Sequence, residues 1–243
     1  MVNCVVELKA QTASFRDPEF QNYHRSLELP PPTTVIGMVG AALGLSPAMA
    51  QDFFDLNKLR IGVMGKSKGK AKDLWKYNNR TNKMWLHHPN FDGSIVHRDI
   101  LMFNHFLFAF QSENPQAIDQ LCEAFASPVF ALTLGNSDSL AKVLCIERNL
   151  VGAQSSEVAY CLLKGDVIGE VLQRAETHLN FSIYQTSDPI AHQFPLRFSY
   201  DGDYGKRQVS KVGIYSLVGK PMKLNFSVEG LQFENHFIPL VEI

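Results

Sequence analysis

A surplus of charge of either sign is missing from this chain. Its 243 residues carry 23 Lys and Arg against 24 Asp and Glu, so net charge argues for no polyanionic partner and any such site must be found by position. Cysteine is scarce. Cys4, Cys122, Cys145 and Cys161 form no C-x-x-C pair and have no paired histidine beside them, so neither a disulfide framework nor a zinc site is indicated, and buried free thiols in a reducing compartment fit best. Long apolar runs are absent too: the most apolar window, 35–45, falls far short of the roughly 20 residues that span a bilayer. The opening MVNCVVELKA holds Glu7 and Lys9 and has no basic start, so it reads as a strand and not as a leader. Internal repeats, low-complexity linkers and a G-x-S-x-G motif are likewise lacking. With 45% hydrophobic and 19% charged residues, the expectation is a folded, soluble, cytoplasmic protein with no membrane partner.

What is present alternates between strand and helix signals. Residues 4–10 read as a half-buried strand, and 11–32 as a long ordered loop ending in three prolines. Thr33 and Thr34 are expected to cap a buried helix over 35–45, followed by a short helix over 48–56 and a strand over 59–64. Residues 66–83 form a polar, basic excursion, and 95–110 is apolar enough for one or two core strands. Asn114 and Pro115 open a helix over 115–126, and 140–147 is a further strand. This order is the split βαβ of an α+β, ferredoxin-like or RRM-like fold. Beyond residue 148, turn signals at Gly165, Asp188-Pro189, 201–203, Gly213, Gly219 and Gly230 separate short β-rich segments. The expected division is an RRM-like domain over 1–147, with a thumb-like excursion at about 65–95, and a β-rich portion over 148–243 that shares its core.

The excursion is the clearest chemical signal. Between 58 and 83 lie Lys58, Arg60, Lys66, Lys68, Lys70, Lys72, Lys76, Arg80 and Lys83 against Asp73 alone, with Trp75, Tyr77 and Trp85 interleaved. Cations for phosphates beside flat rings for stacking are what single-stranded RNA needs, whereas a solvated lysine loop is the plainer alternative. The run Gly62 to Ser67 has only two residues between its glycines where a phosphate loop needs four, so nucleotide hydrolysis is not expected. Gly37, Gly40 and Gly44 lower the propensity of the first helix and call for close approach of another backbone, either the protein's own sheet or RNA. Among eight histidines, His97 and the His87-His88 pair are candidates for metal-free acid-base chemistry, with no metal-ligand spacing to support a metal. The late phenylalanines Phe194, Phe198, Phe226, Phe233 and Phe237 serve either a core or a docking surface.

The segment 15–45, with Phe15-Arg16-Asp17-Pro18, then Tyr23 and Ser26, then Pro30-Pro31-Pro32-Thr33-Thr34 leading into the glycine-studded helix, resembles the N-terminal signature of the fifth CRISPR-associated (Cas) protein family. His97-Arg98-Asp99-Ile100-Leu101 and the run Leu134-Gly135-Asn136-Ser137-Asp138-Ser139-Leu140-Ala141 agree with it. The resemblance spans at least 1–147 and looks most like the type I-B form. It implies a repeat-associated (RAMP) fold and a non-catalytic subunit of the type I Cascade surveillance complex in antiviral defence. Such a subunit holds the 5′ handle of CRISPR RNA, contacts the backbone and large subunits, meets target DNA through the complex, and needs no cofactor. The residues so implied for RNA are Arg16, Tyr23, Arg25, Ser26, Thr33, Thr34 and Arg98, joined by Lys66, Lys68, Lys70, Lys72, Trp75, Lys76, Tyr77, Arg80 and Lys83 of the basic excursion. The glycine loop common near the C-terminus of repeat-associated relatives is only partly matched, by Val218-Gly219-Lys220-Pro221. The alternative implied by type I-C relatives is a metal-independent endoribonuclease acting on precursor CRISPR RNA through Tyr, Lys and His.

Overall fold

The structure, a computed structural model, describes residues 1–20, 23–78, 93–170, 190–202 and 205–243. β1 (Val2–Ala13) lies between β5 (Gly93–Ser112) and β6 (Ala141–Arg148), and β5 pairs along its length with β4 (Arg60–Asn78), all antiparallel. The sheet order β6-β1-β5-β4 is that of a ferredoxin-like unit. The sheet continues past β4 through β8 (Cys161–Lys164), β10 (Arg207–Val218) and β9 (Ile190–Tyr200), and β13 (Val241–Glu242) also pairs with β4.

Both faces of the central strands are covered, which is why they are nearly continuously apolar. Cys4, Val6 and Leu8 of β1, with Phe106, Phe108 and Phe110 of β5, face α1 (Pro32–Leu43) and α3 (Pro115–Ala126). Their period-two neighbours Val5, Leu107 and Ala109 face the opposite way, against a three-stranded sheet of β7 (Val151–Val158), β11 (Met222–Phe233) and β12 (His236–Pro239). Phe194, Leu196, Tyr215, Leu217 and Val241 of the C-terminal strands belong to the same buried cluster as the α1 and α3 side chains.

Local chemistry explains the helix ends. Asn114 accepts the Gln116 N–H at 3.1 Å and Pro115 opens α3, as expected from sequence. Ser46 accepts from the Met49 N–H ahead of α2 (Pro47–Leu56). α1 departs from expectation: its cap is Pro31, Pro32 supplies the first turn, and Thr33 and Thr34 lie inside the helix without capping it, because a proline with its φ preset needs no side-chain partner there. At Gly40 the close partner of this helix is α2 and not the sheet. A Cβ on Gly40 would stand 2.8 Å from the Ala50 Cβ of α2, while one on Gly37 would meet nothing within 4 Å.

Three further expectations are corrected. The described part of the basic excursion is no loop, since β4 runs unbroken through Lys66 to Asn78 and pairs with β5 from Arg60↔Gln111 out to Asn78↔Gly93, so the ladder carries the arm. Gly213 and Gly230 lie within β10 and β11 and mark no turns; at both, a neighbouring strand or ring occupies the space of a side chain. Cys145 is exposed, whereas Cys4, Cys122 and Cys161 are buried. Asp188 and Pro189 lie outside the described residues. No single described helix is long and apolar enough to cross a membrane; α1 and α2 reach that length only together, and they meet at 103°.

Candidate nucleic-acid interface

The three sequence motifs singled out above converge on one brace. β2 (Phe15–Arg16) and β3 (Ser26–Leu27) pair as a small two-stranded ribbon, and His24 adds to β5 through its backbone, its carbonyl accepting the Asp99 N–H at 2.9 Å and its N–H donating to the His97 carbonyl at 3.1 Å. Tyr23 donates its hydroxyl proton to the Asp99 carboxylate, which raises the phenol's affinity for that proton. Arg98 reaches Asp73 and Asp138, each at 2.8 Å, with its own side chain only 6% exposed. Those two hydrogen-bonded carboxylates outweigh the burial that would weaken the guanidinium's charge. Gly135 lets the Asp138 loop reach this point: at φ 97° its missing Cβ leaves room for the Ser14 carbonyl, and Ser14 in turn donates to the Leu134 carbonyl.

The brace walls a cleft of about 730 Å³ lined by Arg16, His24, Thr33, Thr34, Trp75, Phe198, Tyr200 and Arg207. Trp75 is 41% exposed, with Arg98 5.4 Å and His24 5.7 Å from its ring. Across the cleft the Arg207 guanidinium sits 4.9 Å from the Phe198 ring, and Tyr200 is 6.4 Å beyond. α2 fixes that wall: the Gln51 amide donates to the Phe198 carbonyl at 3.0 Å and accepts its N–H at 2.7 Å, while Asp52 and Asp55 hold Arg197. His24 has its pKa lowered, by burial first and then by the nearby charges of Arg16 and Arg98.

A family model described as "CRISPR-associated protein (Cas_Cas5)" matches residues 4–209. The chain belongs to the Cas5 family of CRISPR-associated proteins. A chain of a "CRISPR RNA-guided surveillance complex" aligns over 91% of each chain at 16% identity with a TM-score of 0.53. One from a type III-B Cmr-beta complex bound to cognate target RNA aligns over 90% of this chain and 86% of that one, at 13% identity and TM-score 0.52. These two likenesses show a shared fold. A "Crystal structure of Cas protein" is 22% identical over 56% of this chain and 57% of its own length, with a TM-score of 0.37. No curated protein matches in sequence.

Within this Cas5-family fold the expected RNA residues separate into groups. Arg16, Thr33, Thr34 and Trp75 line the large cleft, although the Thr34 N–H is already taken by the Pro31 carbonyl. Lys66, Lys68 and Lys70 line a second cleft, of about 340 Å³, together with Glu28, Tyr160 and the Val218-Gly219 turn, so the partial glycine loop does meet the basic strand. Lys70 is paired with Glu28 at 2.7 Å; Lys66, Lys68, Lys72 and Lys76 are exposed and have no acidic partner among the described residues. Lys72 stands 5.9 Å over the Tyr23 ring, and Arg25 5.1 Å over Phe20. Two residues are corrected. Arg98 is buried and its charge is spent on two carboxylates, and Ser26 is 4% exposed, accepting the Phe15 N–H and donating to the Leu27 carbonyl. The Tyr77 backbone pairs with Ser94 in the arm, and Arg80, Lys83, Trp85, His87 and His88 lie outside the described residues.

Sequence reasoning missed Tyr200 and Arg207, and it weighed Phe198 only for core or docking. The signal was there as aromatics at alternate positions of one strand followed by a cation across a turn. Of the other late phenylalanines, Phe194 and Phe233 are buried and serve the core, while Phe226 and Phe237 pack partly buried against it.

Proposed function

We propose that this Cas5-family chain is the non-catalytic subunit that holds the 5′ handle of CRISPR RNA in a type I surveillance complex of the I-B kind, in the cytoplasm. The observation that carries the reading is the large cleft, where Trp75, Phe198 and Tyr200 supply ring faces between Arg16 and Arg207, beside an arm whose exposed Lys66, Lys68, Lys72 and Lys76 have no acidic partner among the described residues. Unstacked bases lie on rings while phosphates follow cations, so a single strand suits this arrangement better than a duplex. The exposed Val209, Val212 and Ile214 of β10 give the backbone and large subunits a surface to cover, and target DNA is met through the assembly. Binding of a repeat-derived RNA, followed by fluorescence anisotropy across a salt series, tests the assignment. Changing Lys66, Lys68, Lys72 and Lys76 to Ala should flatten the salt slope by up to ~0.7 per lost contact. Replacing Trp75 or Tyr200 with Ala should cost roughly 1 to 3 kcal/mol per unstacked base. An unchanged slope and unchanged affinity in all of these variants would refute the reading.

One observation favours metal-independent cleavage as a second reading. Lys66, His105, Tyr160 and His236 line a cavity of about 540 Å³, with the Lys66 ammonium 5.1 Å from the Tyr160 ring. His105 Nε2 lies 2.6 Å from Glu7 Oε1, a contact that orients an imidazole for proton transfer. His97 is paired in the arm, away from this cavity. Incubating the protein with repeat RNA in EDTA decides between them: intact RNA supports the non-catalytic subunit, and a single cut lost in His105→Ala replaces it with the nuclease.

A further inference from the structure

We propose that Asp17, Glu19 and His192 form a site for one divalent first-row transition-metal ion of the Zn²⁺ class, tying the 15–27 segment to β9. One donor atom from each residue lies within 4.8 Å of the others, and Glu19 Oε1 is 3.8 Å from His192 Nδ1. Asp17 and Glu19 stand two positions apart and His192 more than 170 positions on, so no short motif announces the set.

Two buried atoms on these residues have no hydrogen-bond partner among the described residues. Asp17 is fully buried, its Oδ1 accepts the Glu19 N–H at 3.1 Å, and its Oδ2 has no hydrogen-bond partner among the described residues. His192 is 5% exposed, stacks on Phe194 at 5.6 Å, and its Nδ1 also lacks a hydrogen-bond partner among the described residues. An unpartnered buried carboxylate oxygen and an unpartnered buried imidazole nitrogen in one cluster are each costly unless a further group satisfies them. A divalent cation neutralises two carboxylates and accepts the lone pair of a neutral imidazole, satisfying both atoms at once. Bonds of about 2.0 to 2.2 Å place such donors about 3 to 4 Å apart, so closing the cluster needs a shift of about 1 to 2 Å at most. Glu19 is 59% exposed on its side chain and free to make it. The donor set of one nitrogen and two oxygens selects Zn²⁺, Co²⁺ or Mn²⁺ over Mg²⁺, which prefers oxygen alone and keeps its water. The neighbouring cavity of about 90 Å³, lined also by Arg25, Ser26 and Gly219, leaves room for water to complete the shell.

The ion's place is structural. Asp17 already receives its neighbours through the backbone, donating its N–H to the Arg25 carbonyl at 2.9 Å, so a metal on its side chain pins the turn of the segment whose Arg16 and His24 line the large cleft. No RNA enters the test, so it stands or falls apart from the RNA-binding reading. The full-length protein, stripped with EDTA, is titrated at neutral pH with Zn²⁺ against a chromophoric chelator, and melted with Zn²⁺, Co²⁺ or Mg²⁺. One tight equivalent and a raised Tm with Zn²⁺ and Co²⁺ but not Mg²⁺ are expected. Losing even an outer-shell partner of a metal typically costs about 10- to 100-fold in affinity, so His192→Gln, Asp17→Asn and Glu19→Gln should each lose roughly 100-fold or more. Glu19→Gln alters an exposed side chain, and Asp17→Asn relieves a buried charge, so both fold in EDTA. Cys145→Ser, which removes the exposed thiol, should keep the tight equivalent. Zn²⁺ binding that survives in Glu19→Gln and Asp17→Asn, no binding by the parent protein, or an equal Tm rise with Mg²⁺ would each overturn the site.

Discussion

Replacing Asp73 and Asp138 with Asn, singly and together, tests whether Arg98 is a fold brace or a free cation. Each carboxylate hydrogen-bonds the guanidinium at 2.8 Å, and the carboxylate side chains are 41% and 56% exposed while the arginine is 6% exposed. A hydrogen bond to a charged group contributes about 1.5 to 3 kcal/mol, and solvent on the carboxylate side brings each single loss towards ~1 kcal/mol. After one substitution the other carboxylate still compensates the buried charge. After both, Arg98 is stranded, and an uncompensated buried charge costs about 3 to 5 kcal/mol. Urea unfolding at neutral pH should therefore show the double variant losing at least ~1 kcal/mol more than the sum of the singles, with m unchanged. The acid limb gives a second check. Asp138 has its pKa held below the usual 3.8, chiefly by its hydrogen bond from Arg98. Its contribution is fully present above that usual value and disappears as pH falls through the lower, folded-state one, so Asp138→Asn and the parent protein should converge in acid. Strict additivity, or a gap between them that persists in acid, would refute the brace.

Other outcomes follow from the same geometry. Gly37→Ala should raise Tm, gaining up to ~1 kcal/mol of helix propensity, whereas Gly40→Ala should lower it, since overpacking against Ala50 costs about 1 to 3 kcal/mol; equal melting of the two would contradict the α1–α2 contact. Gly135→Ala should destabilise by more than Gly40→Ala in the same melts, because its φ of 97° and the Ser14 carbonyl both exclude a side chain. The depressed pKa of His24 means that its protonation disfavours the fold: the full stability holds above the usual 6.5 and is lost as pH falls through the lower, folded-state value. A phosphate in the cleft favours the imidazolium, so RNA affinity should rise as pH falls from about 7.5 to about 5.5, and His24→Asn should flatten that profile in anisotropy.

Sequence by itself determined the elements whose cause is local. Asn114-Pro115 and Ser46-Pro47 carry their own caps, and the motif runs at 15–45, 97–101 and 134–141 were legible as a family signature, whereas β1, whose alternation reads as half-buried, is covered on both faces. The order of strands and helices followed, and with it the ferredoxin-like sheet. Tertiary structure decided what each charge and ring is for. Arg98 and Lys70 look alike as cations in a basic neighbourhood, and only the fold shows that one is buried between Asp73 and Asp138, the other paired on the surface with Glu28, while Lys68 and Lys76 have no acidic partner among the described residues. The second wall of the cleft, Phe198, Tyr200 and Arg207, lies more than 120 positions from Trp75 and meets it only because α2 holds β9 in place. Contacts of that separation leave no periodic trace in the chain, because partner identity is set by the sheet order and not by neighbouring residues.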